Sequence, residues 1–172
     1  EALLSFTPPP GRGRILAGLK GSVLLDDTYN SSPAAAHTAL ETLLSLEVRE
    51  GKGRKIALLG DMMELGKYTI EAHTEVGEHL AEVCDLFLAV GQRAKFFADG
   101  ARTHGMPEER IRYYENATDA ARSIKNELGP GDIVLVKGSQ YMRMERAVEE
   151  LLARPEDAPL LLVRQEEEWK RR

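Results

Sequence analysis

The chain has 172 residues, 42% hydrophobic and 30% charged, with a net charge of −5 and a pI near 5.5. That is enough apolar material for one domain, with residues left for tails. No block of Lys and Arg stands out, which excludes a nucleic-acid footprint, and no apolar run approaches the ~18 residues of a membrane span.

Residues 1–11 read as a leader: residues 1–6 look like the end of a helix, and Thr7-Pro8-Pro9-Pro10-Gly11 is stiff and extended, the pattern of a hinge from something attached upstream. The start lacks the basic region of a signal peptide. Two short apolar runs, 14–19 and 22–26, flank Lys20-Gly21 and predict a hairpin. The period then becomes helical. Ala36, Ala39, Leu40, Leu43 and Leu44 follow i, i+3, i+4, i+7, i+8 spacing, with Ser32 as N-cap and Pro33 at the first helical position. Residues 54–60 are a continuous apolar strand of the kind covered on both faces. A loop over 61–67, a helix over about 70–84, a strand over 85–91 and a helix over 93–104 follow. Residues 111–114 are a short strand, 117–128 a helix, 132–137 the last buried strand and 139–153 the last helix. Pro155 and Pro159 then break the chain, 160–163 adds a short element, and 166–172 reads as a solvated end. Cys84, the one cysteine, sits in an apolar helical pattern and reads as a buried small hydrophobe; the expected setting is reduced and cytoplasmic.

Alternating strands and helices predict an α/β fold. It is a Rossmann-like, doubly wound, mostly parallel sheet of about six strands, with one antiparallel edge strand from the hairpin. The domain would span residues 12–153, between the leader (1–11) and a C-terminal tail (154–172).

Ligands of open α/β sheets bind at the carboxyl ends of the strands. There the sequence places Asp26-Asp27, Asp61, Gly91-Gln92 and Lys137-Gly138-Ser139. Successive side chains point to opposite faces of a strand, so one of Asp26 and Asp27 serves a ligand and the other the loop backbone, unless both simply cap the loop. Tyr29 and Asn30 follow on the loop and suit a base or ribose; the alternatives are a packed ring and an Asx-turn. Gly138-Ser139, before a helix N-terminus and beside Lys137, suits a carboxylate or phosphate; the alternative is an ordinary N-cap with a solvated lysine. His37, His73, His79 and His104 are scattered, and no metal site is expected.

Neither Gly-x-x-x-x-Gly-Lys-Ser/Thr nor a strand–Gly-x-Gly-x-x-Gly–helix pattern occurs. The chain has a ligand rim but no phosphate cradle of its own, which disfavours a nucleotide-binding oxidoreductase. A non-enzymatic phospho-receiver also uses an acid pair, a further Asp and a Lys at strand ends. Here, however, Asp61 lies on the strand immediately after the acid pair, whereas receivers place the phosphoacceptor one strand later.

Several motifs occur in a telling order: Arg12; Asp26-Asp27-Thr28-Tyr29-Asn30 with Pro33; Leu59-Gly60-Asp61-Met62-Met63-Glu64-Leu65-Gly66; His73-Thr74-Glu75-Val76-Gly77; and Val136-Lys137-Gly138-Ser139 with Met142 and Met144-Glu145. Over about residues 3–153 they resemble the C-terminal domain of the Mur ligases. The Asp-Tyr-Asn loop with Gly-Asp-Met-x-Glu-Leu-Gly points to the branch that adds D-alanyl-D-alanine to UDP-N-acetylmuramoyl-tripeptide. Other Mur ligases and folylpolyglutamate synthase share the fold.

The resemblance implies an ATP-dependent amide-bond ligase of peptidoglycan synthesis, working through an acyl phosphate. It implies a cytoplasmic monomer whose UDP-sugar site, phosphate loop and Mg2+ sites lie on preceding domains, so that this domain alone is inactive. By resemblance, Arg12 reaches the nucleotide phosphates on closure, with the fork geometry of a guanidinium. Asp27 contacts the ATP ribose, and Tyr29 and Asn30 line the nucleotide. Asp61, Lys137, Gly138 and Ser139 form the expected dipeptide rim, because a terminal carboxylate needs cations or helix amides. Two departures from the family pattern stand out: Ser31-Ser32 replaces Ala-Asn, and Gln140 stands where arginine is common.

Overall fold

The computed structural model describes residues 7–48 and 53–171, so the helix end expected over 1–6 lies outside the described residues. In chain order the elements are β1 (Arg14–Ala17), β2 (Val23–Asp27), α1 (Pro33–Ser45), β3 (Lys55–Gly60), α2 (Thr69–Val83), β4 (Leu86–Val90) and α3 (Ala94–Thr103). Then come β5 (Ile111–Tyr114), α4 (Ala117–Ile124), β6 (Ile133–Lys137), α5 (Glu145–Leu151), α6 (Ala158–Leu161) and α7 (Glu167–Lys170). The strands form one six-stranded sheet in the order β1-β2-β6-β3-β4-β5. β1 and β2 are the predicted antiparallel hairpin, turning through Leu19–Gly21, and every other neighbouring pair is parallel.

Side-chain alternation explains why β3 and β6 read as unbroken apolar runs. Ala57, Leu59, Ile133 and Leu135 face one helical layer, while Ile56, Leu58, Val134 and Val136 face the other. The first face is covered by α1, α2 and α3 through Leu40, Leu43, Val76, Leu80 and Phe97. The second is covered by α4 and α5 through Ala120, Ile124, Val148 and Leu151. Ser32 caps α1 as predicted, its Oγ accepting from Ala35 N at 3.3 Å. The last strand, β6, is inserted between β2 and β3, in the register Asp27↔Lys137↔Leu59. The carboxyl ends of these three strands therefore stand side by side, at the place where the winding reverses and where such folds bind ligands.

Two C-terminal expectations are corrected. Residues 139–153 are not one helix: Gln140–Met142 form a 3-10 turn, Arg143 adopts a left-handed φ of 53°, and α5 spans only Glu145–Leu151. One local and one remote bond hold Arg143 there: its Nε donates to Glu145 Oε1, two residues on, at 2.5 Å, and its Nη1 to the Trp169 carbonyl at 2.8 Å. Nor is the end of the chain wholly solvated. Glu166, Glu167 and Glu168 are exposed, but Trp169 is half-buried beside the guanidinium groups of Arg143 and Arg164, 5.4 and 5.8 Å from its ring centroid.

Candidate functional site at the ends of β2, β6 and β3

Strand alternation separates the acid pair. Asp26 points into the fold and is fully buried. Its Oδ2 accepts from Gly11 N at 3.0 Å, and its Oδ1 accepts from Thr28 N at 3.3 Å and Thr28 Oγ1 at 2.6 Å. Burial pushes its carboxyl above the usual carboxylate range, against the pull of those hydrogen bonds. Asp26 is thus the acid that holds the loop backbone. Asp27 keeps 22% of its side chain exposed, with Oδ2 2.6 Å from Lys137 Nζ. Lys137 is buried, and its Nζ also donates to the Asn30 carbonyl at 2.9 Å. It is a strut between β6 and the β2 loop, which excludes the solvated-lysine alternative.

Gly11 ties the leader to this loop. Its amide donates to Asp26, and its carbonyl accepts from Tyr29 N at 2.9 Å. Its φ is 71°, and a Cβ there would lie 3.0 Å from Tyr29 N, so only glycine fits without strain. The next residue, Arg12, is exposed and lays its guanidinium over the Tyr29 ring, 4.1 Å from the centroid. A groove of about 370 Å³ opens between Arg12, Gly13 and Asp27 on one side and Ala35, Thr38 and Thr42 of α1 on the other. The structure brings Arg12, Asp27, Tyr29 and Asn30 together around one loop.

The neighbouring stretch of rim is arranged differently. Asp61 is buried, and its Oδ1 accepts from the backbone amides of Arg93 at 2.9 Å and Ala94 at 2.8 Å, capping α3 from the end of β3. Ser139 Oγ accepts from Met63 N at 2.7 Å, and Ser139 N donates to the Asp61 carbonyl at 3.1 Å. Gly138 is pressed against β3: a Cβ there would stand 2.6 Å from Met144 Cγ and 3.1 Å from Gly60 Cα. His73 is buried; its Nε2 accepts from Met62 N at 3.0 Å while Nδ1 donates to the Thr69 carbonyl at 2.6 Å. Burial holds its pKa below the usual imidazole value. Asp61, Lys137, Gly138 and Ser139 are neighbours, yet the polar contacts of the three side chains hold the loops to each other. The helix N-terminus expected at Ser139 is absent, since α5 begins at Glu145.

Sequence reasoning passed over three further groups. Arg93, in the loop after β4, donates to the Met63 sulfur, an uncharged partner, at the same stretch of rim. Arg164 is buried and donates to the carbonyls of Thr28 at 3.3 Å and Tyr29 at 2.5 Å. Glu145, 1% exposed, pairs with Arg164 at 3.2 Å and Arg143 at 2.5 Å. Arg93 and Arg164 carry no local mark, because their partners are remote in sequence; Glu145 belongs to the Met144-Glu145 motif, but its pairing with Arg164, 19 residues on, leaves no local trace. Among the described residues, no group of three or more His, Cys, Asp or Glu is placed to hold a metal ion, and no helix is long and apolar enough to cross a membrane.

The family model for the Mur ligase, glutamate ligase domain, matches residues 11–140 of this chain. The chain belongs to the Mur ligase family. It is 32% identical over 136 residues to the UDP-N-acetylmuramoyl-tripeptide–D-alanyl-D-alanine ligase of Bacillus subtilis, covering 78% of this chain and 29% of that protein. The MurF ligase of Thermotoga maritima, whose crystal structure was determined in complex with ADP, superposes with a TM-score of 0.69 at 32% identity, over 85% of this chain and 31% of that one. A MurF structure from Acinetobacter baumannii gives the same TM-score, 0.69, at 27% identity, over 84% of this chain and 31% of that one. The chain therefore spans about a third of the length of these Mur ligases. The family match includes Arg12, the β2 loop and the rim up to Gln140, and leaves Glu145 and Arg164 outside it. The receiver alternative finds no support in these relatives, and Asp61 Oδ1 is engaged by two α3 amides.

Proposed function

We propose that this Mur ligase domain serves an ATP-dependent enzyme that joins D-alanyl-D-alanine to UDP-N-acetylmuramoyl-tripeptide, the reaction named for its Bacillus relative, and that it contributes half of the nucleotide site. One observation carries the reading: a single groove beside α1 is lined by both Asp27 and Arg12. A carboxylate accepts the hydroxyls of a ribose, and a guanidinium presents a planar fork to phosphate oxygens. The ADP complex of the Thermotoga relative supports the same ligand class.

ATP would supply the phosphoryl group that activates the acceptor carboxylate, with Mg2+ spreading its charge. This chain's residues bind and orient. Asp27 holds the ribose and is aimed by Lys137. Arg12 reaches toward the phosphates from its seat on Tyr29, and Asn30 lines the nucleotide. Asp61, Lys137, Gly138 and Ser139 shape the dipeptide site through backbone and packing, since their side chains are engaged with the protein. The phosphate loop, the Mg2+ ligands and the UDP-sugar site belong to preceding domains. Residues 1–11 link to them, 12–153 form the closing domain, and 154–172 are its C-terminal tail. The enzyme works as a cytoplasmic monomer.

The purified 172-residue chain is expected to release no phosphate from ATP; robust turnover would overturn the proposal. In the full-length protein, phosphate release should require both the UDP-tripeptide and D-alanyl-D-alanine. Arg12→Ala should lower kcat strongly while leaving folding intact.

A further inference from the structure

We propose that Arg164, 24 residues beyond the family-matched segment 11–140, is a positioning residue that fixes the shape of the loop carrying Asp27, Tyr29 and Asn30. The proposal rests on the nucleotide reading for its functional meaning, but the clamp can be tested without it.

The loop leaves β2 with its backbone groups unpaired by the sheet. Three outside points take them up. Gly11 accepts from Tyr29 N, Lys137 donates to the Asn30 carbonyl, and Arg164 donates to the two preceding carbonyls, Thr28 from Nη1 and Tyr29 from Nη2. One planar guanidinium thus spans two consecutive peptide groups, which a lysine ammonium cannot do from a single position. The Arg164 guanidinium carbon also lies 5.6 Å from the Tyr29 ring centroid, and the same ring carries Arg12 at 4.1 Å. Arg164 therefore sets the platform on which the phosphate-facing arginine rests.

The clamp is costly and supported. A buried guanidinium needs a counter-charge, and Arg164 is only 8% exposed, with Glu145 Oε2 3.2 Å from its Nη1. Glu145 Oε1 takes Arg143 Nε, and Arg143 Nη1 in turn donates to the Trp169 carbonyl. Arg143 and Arg164 both sit at left-handed φ, 53° and 58°, a conformation that costs a non-glycine residue free energy. Two strained backbones and a buried carboxylate thus converge on holding one loop.

The experiment compares the whole 172-residue chain with Arg164→Met and Arg164→Lys variants by amide hydrogen exchange and by NMR titration with ATP. In Arg164→Met, amides of the loop and of the adjoining Gly11 should exchange roughly tenfold or more faster, while amides of β3, β4 and β6 keep their wild-type protection. Arg164→Lys should rescue only partly, because one ammonium replaces a two-carbonyl fork. If the loop amides of Arg164→Met exchange as in wild type, or if protection falls equally across the sheet, the positioning role is overturned. The ATP affinity read from shifts at Asp27, Tyr29 and Asn30 should fall in the variant only by as much as the closed fraction of the loop falls. Absence of ATP-dependent protection of the Asp27, Tyr29 and Asn30 amides in the full-length enzyme, with the exchange difference intact, would overturn the nucleotide reading and leave the clamp standing.

Discussion

Two stretches of the same rim use the same residue types in opposite ways. At the end of β2, Asp27 and Arg12 border an open groove, and Asp26 and Lys137 act as supports behind them. At the ends of β3 and β6, Asp61 and Ser139 have turned inward, onto the α3 amides and the Met63 amide. An acid at a strand end is therefore not yet a ligand site. What decides is whether the chain supplies the partner itself, and at β3 it does so through the N-terminus of α3.

The largest test is Asp61→Ala, which leaves two α3 amides without their acceptor. Urea unfolding should show a loss of about 3 kcal/mol, whereas Asp27→Asn, which takes the counter-charge from buried Lys137 but keeps an acceptor oxygen, should cost about 2 kcal/mol. Equal losses would erase the contrast between the two stretches. Next, Lys137→Met should cost about 2 kcal/mol by removing the strut. Combining it with Asp27→Asn should cost less than the sum of the two, because they share one interaction.

Smaller effects sharpen the picture. Ser139→Ala removes the acceptor of Met63 N and should cost about 1 kcal/mol. Acid tests the same loop through His73, whose pKa is lowered in the folded state from 6.5. The unfolded chain then binds the proton more readily, so stability is full above pH 6.5 and falls below it. By pH 6 the loss should be less than about 1 kcal/mol, and His73→Gln should flatten this dependence. Smallest of all, Arg12→Ala should change stability by only about 0.5 kcal/mol, the worth of an exposed guanidinium on Tyr29, while removing the ATP-induced shifts at the loop.

Much of the fold was legible because its signals are local. The apolar runs of β3, β4 and β6, the turn at Lys20-Gly21 and the Ser32-Pro33 helix start each lie within a few residues. Alternation along β2 also required the two acids to differ, although it could not say that Asp26 was the inward one; the Gly11 amide and Thr28 hold it there. The failures have a common cause. The helix expected over 139–153 breaks at Arg143, and the end expected to be solvated over 166–172 folds back through Trp169 onto Arg143 and Arg164, because these residues find partners far away in sequence. Periodicity carries no record of such contacts.

The place of β6 has a consequence for how this protein is made. The strand made last lies in the middle of the sheet, and Val23 must wait for Ile133, 110 positions later, before it is paired on that side. A nascent chain emerging from the ribosome can form its hairpin and the β3–β4–β5 unit early, each with one edge waiting for β6. The two pieces join only when residues 133–137 slide between them, a long-range closure of the kind that slows folding. Interrupting synthesis before Ile133 would therefore leave two half-sheets with nothing between them, and Asp27 and Leu59 would never become neighbours of a common strand.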